Sequence, residues 1–77
     1  MPSLELYIGY WCPFCQKVLR FMDAHGIEVD LVDVDVPENR AFLVEHGGKY
    51  QVPCLFIDGE PMYESDDIIA YLGRTFG

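Results

Sequence analysis

Apolar residues recur along the chain at two spacings, and the switches between them outline seven elements. "SLELYIG" puts Leu4, Leu6 and Ile8 at every second position up to Gly9, the pattern of a short strand. Past Pro13, the residues Phe14, Val18, Phe21, Met22 and His25 fall at helical spacing, with Lys17, Arg20 and Asp23 off the stripe. Proline is favoured at a first helical position, where its missing N–H costs nothing, and Gly26 supplies a stop. A helix is therefore expected from about 13 to 25. "IEVDLVDVDV" is β-branched and alternating, but the adjacent Leu31 and Val32 shift the phase, which leaves the facing of a strand over about 28 to 34 open. Pro37 opens a second helix to about His46, closed by Gly47 and Gly48. "VPCLFI" reads as a continuous apolar strand, Asp58-Gly59 as a hairpin turn, and "EPMY" as the return strand, with Pro61 suited to a sheet edge. Ser65 as N-cap, Asp66 and Asp67 in the first turn, and Ile68, Ile69, Leu72 and Phe76 facing inward complete a last helix.

The order β-α-β-α-β-β-α belongs to the α/β class. Its first β-α-β unit requires a parallel pair joined by a right-handed crossover, whereas the Asp58-Gly59 hairpin requires an antiparallel one. The expectation is a four-stranded mixed sheet flanked by three helices, a thioredoxin-like arrangement. At 77 residues, 51% of them hydrophobic, one domain spanning 1–77 is expected.

Charge narrows the partners. Thirteen acidic residues against five basic ones give −8, which repels phosphate backbones and anionic lipid surfaces, so neither nucleic acid nor membrane is expected. The N-terminal stretch has no basic region ahead of an apolar run, and no segment approaches the roughly 18 apolar residues of a membrane span. A cytoplasmic monomer is the default expectation. Three cysteines are too few for a disulfide-stapled secreted scaffold.

"YWCPFC" carries the candidate chemistry. With the first strand ending at Gly9 and the helix opening at Pro13, Cys12 sits at the helix N-cap, before unpaired backbone N–H groups and the positive end of the helix dipole. A thiolate is favoured at such a place, making Cys12 the candidate nucleophile. Cys15, one turn on, points back toward it and is more shielded, which suits a resolving thiol. Pro13 and Phe14 form the helix N-terminus between them. A zinc site would need about four ligands. Cys54, His25 and His46 are not at ligand spacing, and no metal is expected. A purely structural bridge closing so short a loop would gain little. Cys54, on an apolar strand, reads as an inert core thiol.

Over essentially its whole length the chain resembles the glutaredoxin family. The resemblance lies in "CPFC" after the first strand, "QVP" before the third and "ESDD" at the start of the last helix. Phe14 stands where the family form, Cys-Pro-Tyr-Cys, has Tyr. The resemblance implies a thiol-disulfide oxidoreductase with glutathione as co-substrate, acting on disulfide-bonded or glutathionylated client proteins. It further implies that Val52-Pro53 is a cis-proline loop whose Val backbone pairs with the cysteine moiety of glutathione, and that Ser65 and Asp66 hold the γ-glutamyl end. Many glutaredoxins carry a Lys shortly before the active-site cysteine. Tyr10 and Trp11 stand there in this chain, leaving Lys17, Arg40 and Lys49 for the glycine carboxylate, with Lys49 nearest a family basic position and Gln16 a weaker choice.

Three rival functions share parts of this pattern. One is a thioredoxin-like carrier recharged by a flavoprotein reductase, a reading that "ESDD" opposes. Another is an iron-sulfur carrier ligated through Cys12 and glutathione, disfavoured by Pro13 and by the second cysteine. The last is the first domain of a glutathione transferase, which shares "ES" before the last helix. Transferases usually continue into a helical second domain, and a chain ending at Gly77 is expected to lack one.

Overall fold

Leu6 and Ile8 face one side of the first strand and Tyr7 the other, and all three are buried. A strand shielded on both faces belongs at the centre of a sheet. The computed structural model describes residues 2–76 and shows this arrangement. Met1 and Gly77, the two ends of the expected domain, lie outside the described residues.

The elements run β1 (Leu4–Ile8), α1 (Pro13–Ala24), β2 (Asp30–Asp33), α2 (Pro37–Gly47), β3 (Cys54–Ile57), β4 (Glu60–Met62) and α3 (Ser65–Phe76). The sheet order is β2-β1-β3-β4. β1 pairs with β2 in parallel and with β3 antiparallel, and β3 pairs with β4 antiparallel. This is the mixed, thioredoxin-like sheet expected, with Pro61 on an edge strand where its missing N–H disturbs no ladder.

Two apolar clusters hold the sheet. Leu6, Ile8, Val18, Met22, Leu55, Ile68 and Leu72 join α1 and α3 to one face. Tyr7, Val34, Leu43, Cys54 and Phe56 join α2 to the other. Each fully buried Leu or Ile contributes about 1.5–3 kcal/mol.

Local chemistry sets the boundaries. After α1, Gly26 takes φ 64. The N–H of Ile27 bonds to the carbonyl of Met22 at 2.8 Å and that of Gly26 to Asp23 at 3.3 Å. These two bonds satisfy the last helical carbonyls in a Schellman stop. At the hairpin, Asp58 (φ 49) and Gly59 (φ 87) both lie in the left-handed region, as a tight two-residue turn of this hand requires. The Asp58 N–H donates to the Ser3 carbonyl and the Ser3 N–H to the Asp58 carboxylate, both at 2.8 Å, clamping the hairpin to the start of β1.

Several expected details change. Phe14 does not join the inward stripe of α1 but is 62% exposed, and His25 is exposed too. Val18 and Met22 are buried as expected and Phe21 packs beside them, but Cys15 takes the place of Phe14 at the start of the stripe, where the first turn of α1 borders a cleft. β3 begins at Cys54, not Val52, since Pro53 has no N–H for a ladder. β2 is shorter than expected because its register begins with Glu5 opposite Asp30. Ser65 is the first residue of α3 rather than its cap: the carbonyl of Glu64 accepts the first helical bond, from the Ile68 N–H.

Candidate functional site

Gly9 ends β1 and Pro13 starts α1, and the turn between them carries Cys12 at the N-cap of α1 with extended backbone, φ −88 and ψ 122. The Cys12 N–H donates to the Gly9 carbonyl at 3.2 Å, and the Gln16 amide reaches back to the Tyr10 carbonyl at 2.7 Å. These bonds fix the turn, and no side-chain oxygen caps the helix. The Cys12 sulfur is therefore left beside the open end of α1, half-buried, 3.8 Å from the Val52 carbonyl oxygen.

Cys15 lies one turn deeper and is fully buried. Its sulfur accepts the Gly9 N–H at 3.5 Å. Burial pushes its thiol up to about 12, against the lowering effect of that N–H, and the neighbouring Cys12 adds to the rise. Cys15 is thus held as a neutral thiol behind Cys12. The order expected from the sequence, outer sulfur first and shielded sulfur second, is the order in space.

Beside the pair opens a cleft of about 480 Å³. Phe14 and Lys17 of α1 form one wall; Gln51, Val52 and Pro53 the floor; Glu64, Ser65, Asp66 and Asp67 at the start of α3 the far wall. The Val52-Pro53 bond is cis. Of the residues proposed from the sequence, Phe14, Val52, Pro53, Ser65 and Asp66 meet here, next to Cys12. Ser65 is buried and Asp66 exposed.

Lys49 is the exception. It does not line the cleft. Its ammonium lies over the Tyr63 ring, 4.5 Å from the centroid, while the Tyr63 hydroxyl donates to the Lys49 carbonyl at 3.0 Å. Arg40 is equally committed, its guanidinium donating to the carbonyls of Val34 and Asp35. Among the described residues Lys17 is the cation on the cleft wall, and its ammonium pairs with the Asp66 carboxylate from across the cleft.

Sequence reasoning passed over Gln51, Glu64 and Asp67 as lining groups. All three sat inside "QVP" and "ESDD", and the signal was their adjacency to residues already chosen. Glu64 takes φ 69, an uncommon region for a non-glycine residue, and its carboxylate accepts from the Gln51 amide at 3.4 Å.

Fold and site together define a class: a thioredoxin-like domain carrying a dithiol at the N-terminus of its first helix, beside a cis-proline cleft. Comparison with known proteins narrows it. Residues 6–77 match the family described as glutathione S-transferase, N-terminal domain. The chain is 38% identical over 77 residues to glutathione S-transferase L1 of Arabidopsis thaliana, covering 96% of this chain and 32% of that protein. It is 32% identical over 73 residues to a probable glutaredoxin of Synechocystis, covering 92% of this chain and 83% of that protein. The crystal structure of glutathione transferase Omega 3C from Trametes versicolor superposes with a TM-score of 0.82 at 26% identity, over 96% of this chain and 34% of that one. The chain thus spans about a third of the transferases it matches and most of the glutaredoxin. It belongs to the thioredoxin-fold family of glutaredoxins and glutathione S-transferase N-terminal domains.

Proposed function

We propose that the chain is a glutathione-dependent thiol-disulfide oxidoreductase, with Cys12 as nucleophile and Cys15 as resolving thiol. The observation that supports it best is the 3.8 Å approach of the Cys12 sulfur to the Val52 carbonyl, which puts a reactive sulfur at the edge of the cleft. A peptide thiol laid along Val52 would present its own sulfur to Cys12.

The Cys12 thiolate attacks the glutathione sulfur of a mixed disulfide. A Cys12–glutathione disulfide forms, and the client thiol departs with a proton. A second glutathione thiolate then attacks that same sulfur, releasing glutathione disulfide and restoring the Cys12 thiolate. With a protein disulfide as client, Cys12 first forms a bond to the client. Cys15 next transfers its proton to the departing client sulfur and closes a Cys12–Cys15 bridge, which two glutathiones reopen. Burial favours the protonated form of Cys15, so glutathione competes with it for the mixed disulfide.

The test is glutathione-dependent reduction of a glutathionylated peptide by the reduced protein. Cys12→Ser should lose at least about 1000-fold in rate, the scale of removing a covalent nucleophile. Cys15→Ser should keep deglutathionylation and lose reduction of a protein disulfide. A wild type that is silent with glutathione but active with a flavoprotein reductase would replace this reading with the carrier one.

A second reading, the first domain of a glutathione transferase, draws support from the match to the transferase N-terminal family over residues 6–77. Conjugation of glutathione to an aromatic halide separates the two, since only a transferase accelerates it.

A further inference from the structure

We infer that the outer edge of β2 is a docking site for a partner protein, which adds an extended segment of alternating cationic and apolar residues to the sheet at the end away from the cysteines.

In the order β2-β1-β3-β4, β2 is paired on one side only, to β1. Cys12 follows the C-terminal end of β1, whereas β2 starts with Asp30 opposite Glu5, so this edge begins at the other end of the sheet. Its far end is covered, because the Asn39 amide donates to the Asp33 carbonyl at 3.0 Å. The stretch left open runs up to Val32, and Glu28, Asp30 and Leu31 on it are exposed. An unpaired edge offers backbone N–H and C=O groups to another strand. The opposite edge, β4, is blunted by Pro61.

Beside the open stretch lies a groove of about 510 Å³, with Met22 and Ile27 at its base and Glu28 to Leu31 along its rim. Val29 packs against the core on the α1 side of the sheet, and Leu31, 45% exposed, stands opposite Leu6 on that side. Asp30, one residue from Leu31, belongs to the other side, opposite Glu5. A strand laid along this edge therefore meets apolar surface on one face and carboxylates on the other.

Charge selects the occupant. Glu5 and Asp30 are like charges directly opposite one another, an arrangement that destabilises a sheet. α1 ends nearby with Asp23 and no basic residue in its last turn, where the helix dipole favours a cation. Among the described residues the ion pair is Lys17–Asp66, and Arg40 is engaged by the carbonyls of Val34 and Asp35, so neither Glu5 nor Asp30 is neutralised within the chain. A cationic strand relieves that repulsion, and the net charge of −8 draws it in from a distance. A second copy of the chain does the reverse: antiparallel pairing of Leu31 with the copy's Val32 sets Asp30 against Asp33.

The experiment follows the fluorescence anisotropy of a dye-labelled peptide of about eight residues, alternating arginine and valine, titrated with the full chain. Replacing its valines by serine should weaken binding at least about tenfold, through loss of the groove contacts. Methylating the backbone nitrogens of its valines or, separately, of its arginines blocks one edge each, and one of the two should weaken binding at least about tenfold. These variants leave the protein unchanged, so their outcome does not depend on how a substituted chain folds. Glu28→Gln with Asp30→Asn should weaken binding at least about fivefold, while Glu38→Gln with Glu45→Gln on α2, an equal change in net charge, should stay within about twofold. The inference is overturned if the wild type does not bind at about 1 mM, if the two charge-removing pairs act alike, or if the serine peptide or both methylated peptides bind as well as the parent. The last three results would reduce the attraction to that of any cation for an acidic chain. A dimer seen by sedimentation and dissolved by Leu31→Lys would assign the edge to a second copy, and overturns it equally.

Discussion

At the scale of single residues, three thiols occupy three environments, and burial more than spacing separates them. Cys12 is half-buried at a helix end, while Cys15 and Cys54 have no exposed surface. Burial raises Cys15 to about 12 and Cys54 to about 11, above the ordinary thiol value of about 8.5. Both stay protonated in the folded chain at pH values where the unfolded chain has released those protons. The stability linked to them is therefore complete below about pH 8.5 and is lost as pH climbs from there toward 11 to 12. Tyr7 and Tyr63, also raised by burial, act in the same direction. Thermal melts should show a Tm that holds up to about pH 8 and then declines, with Cys54→Ala giving a lower plateau and a shallower decline. A Tm unchanged to about pH 10.5 would contradict the burial argument for both thiols. The Cys12–Cys15 pair was legible because its members are three positions apart. The Lys17–Asp66 pair was not, because the partners are 49 residues apart and meet only when α1 and α3 pack together.

At the scale of elements, local signals explain the ends of helices and strands better than their faces. Gly26, Gly48 and the Asp58-Gly59 turn all fall where the sequence places stops. Because Gly59 has φ 87, Gly59→Ala should cost about 1–2 kcal/mol, the usual penalty for a side chain in the left-handed region. Urea titration should read it as a lower midpoint at constant slope, and an unchanged midpoint would show that the turn tolerates a Cβ. Faces were harder. The middle of the α1 stripe, Val18 and Met22, is buried as its spacing implies, but at the first turn Cys15 is buried and Phe14 exposed, because Phe14 borders the cleft rather than the sheet. The direction of Lys49 is likewise not carried by spacing: a loop residue's direction depends on what lies opposite, here the Tyr63 ring.

At the scale of the whole molecule, a net charge of −8 on 77 residues is a self-repulsion. Near the cleft it is concentrated, with Glu64, Asp66 and Asp67 on one wall against Lys17 on the other. Raising sodium chloride from about 20 mM to about 500 mM shortens the Debye length from roughly 20 Å to a few ångströms and should raise Tm by several degrees, measured by circular dichroism. A fall in Tm over that range would mean that attractive pairs such as Lys17–Asp66, rather than net repulsion, dominate the electrostatics.

The sequence by itself determined the order of elements, the mixed sheet and the place of the cysteine pair at the start of α1, because each follows from period, turn chemistry or a proline and needs only neighbours along the chain. The tertiary structure decided which basic residue reaches the cleft and that Phe14 turns out beside it rather than into the core. Those outcomes depend on distances between segments far apart in sequence, fixed only when two helices and a cis-proline loop close on one another.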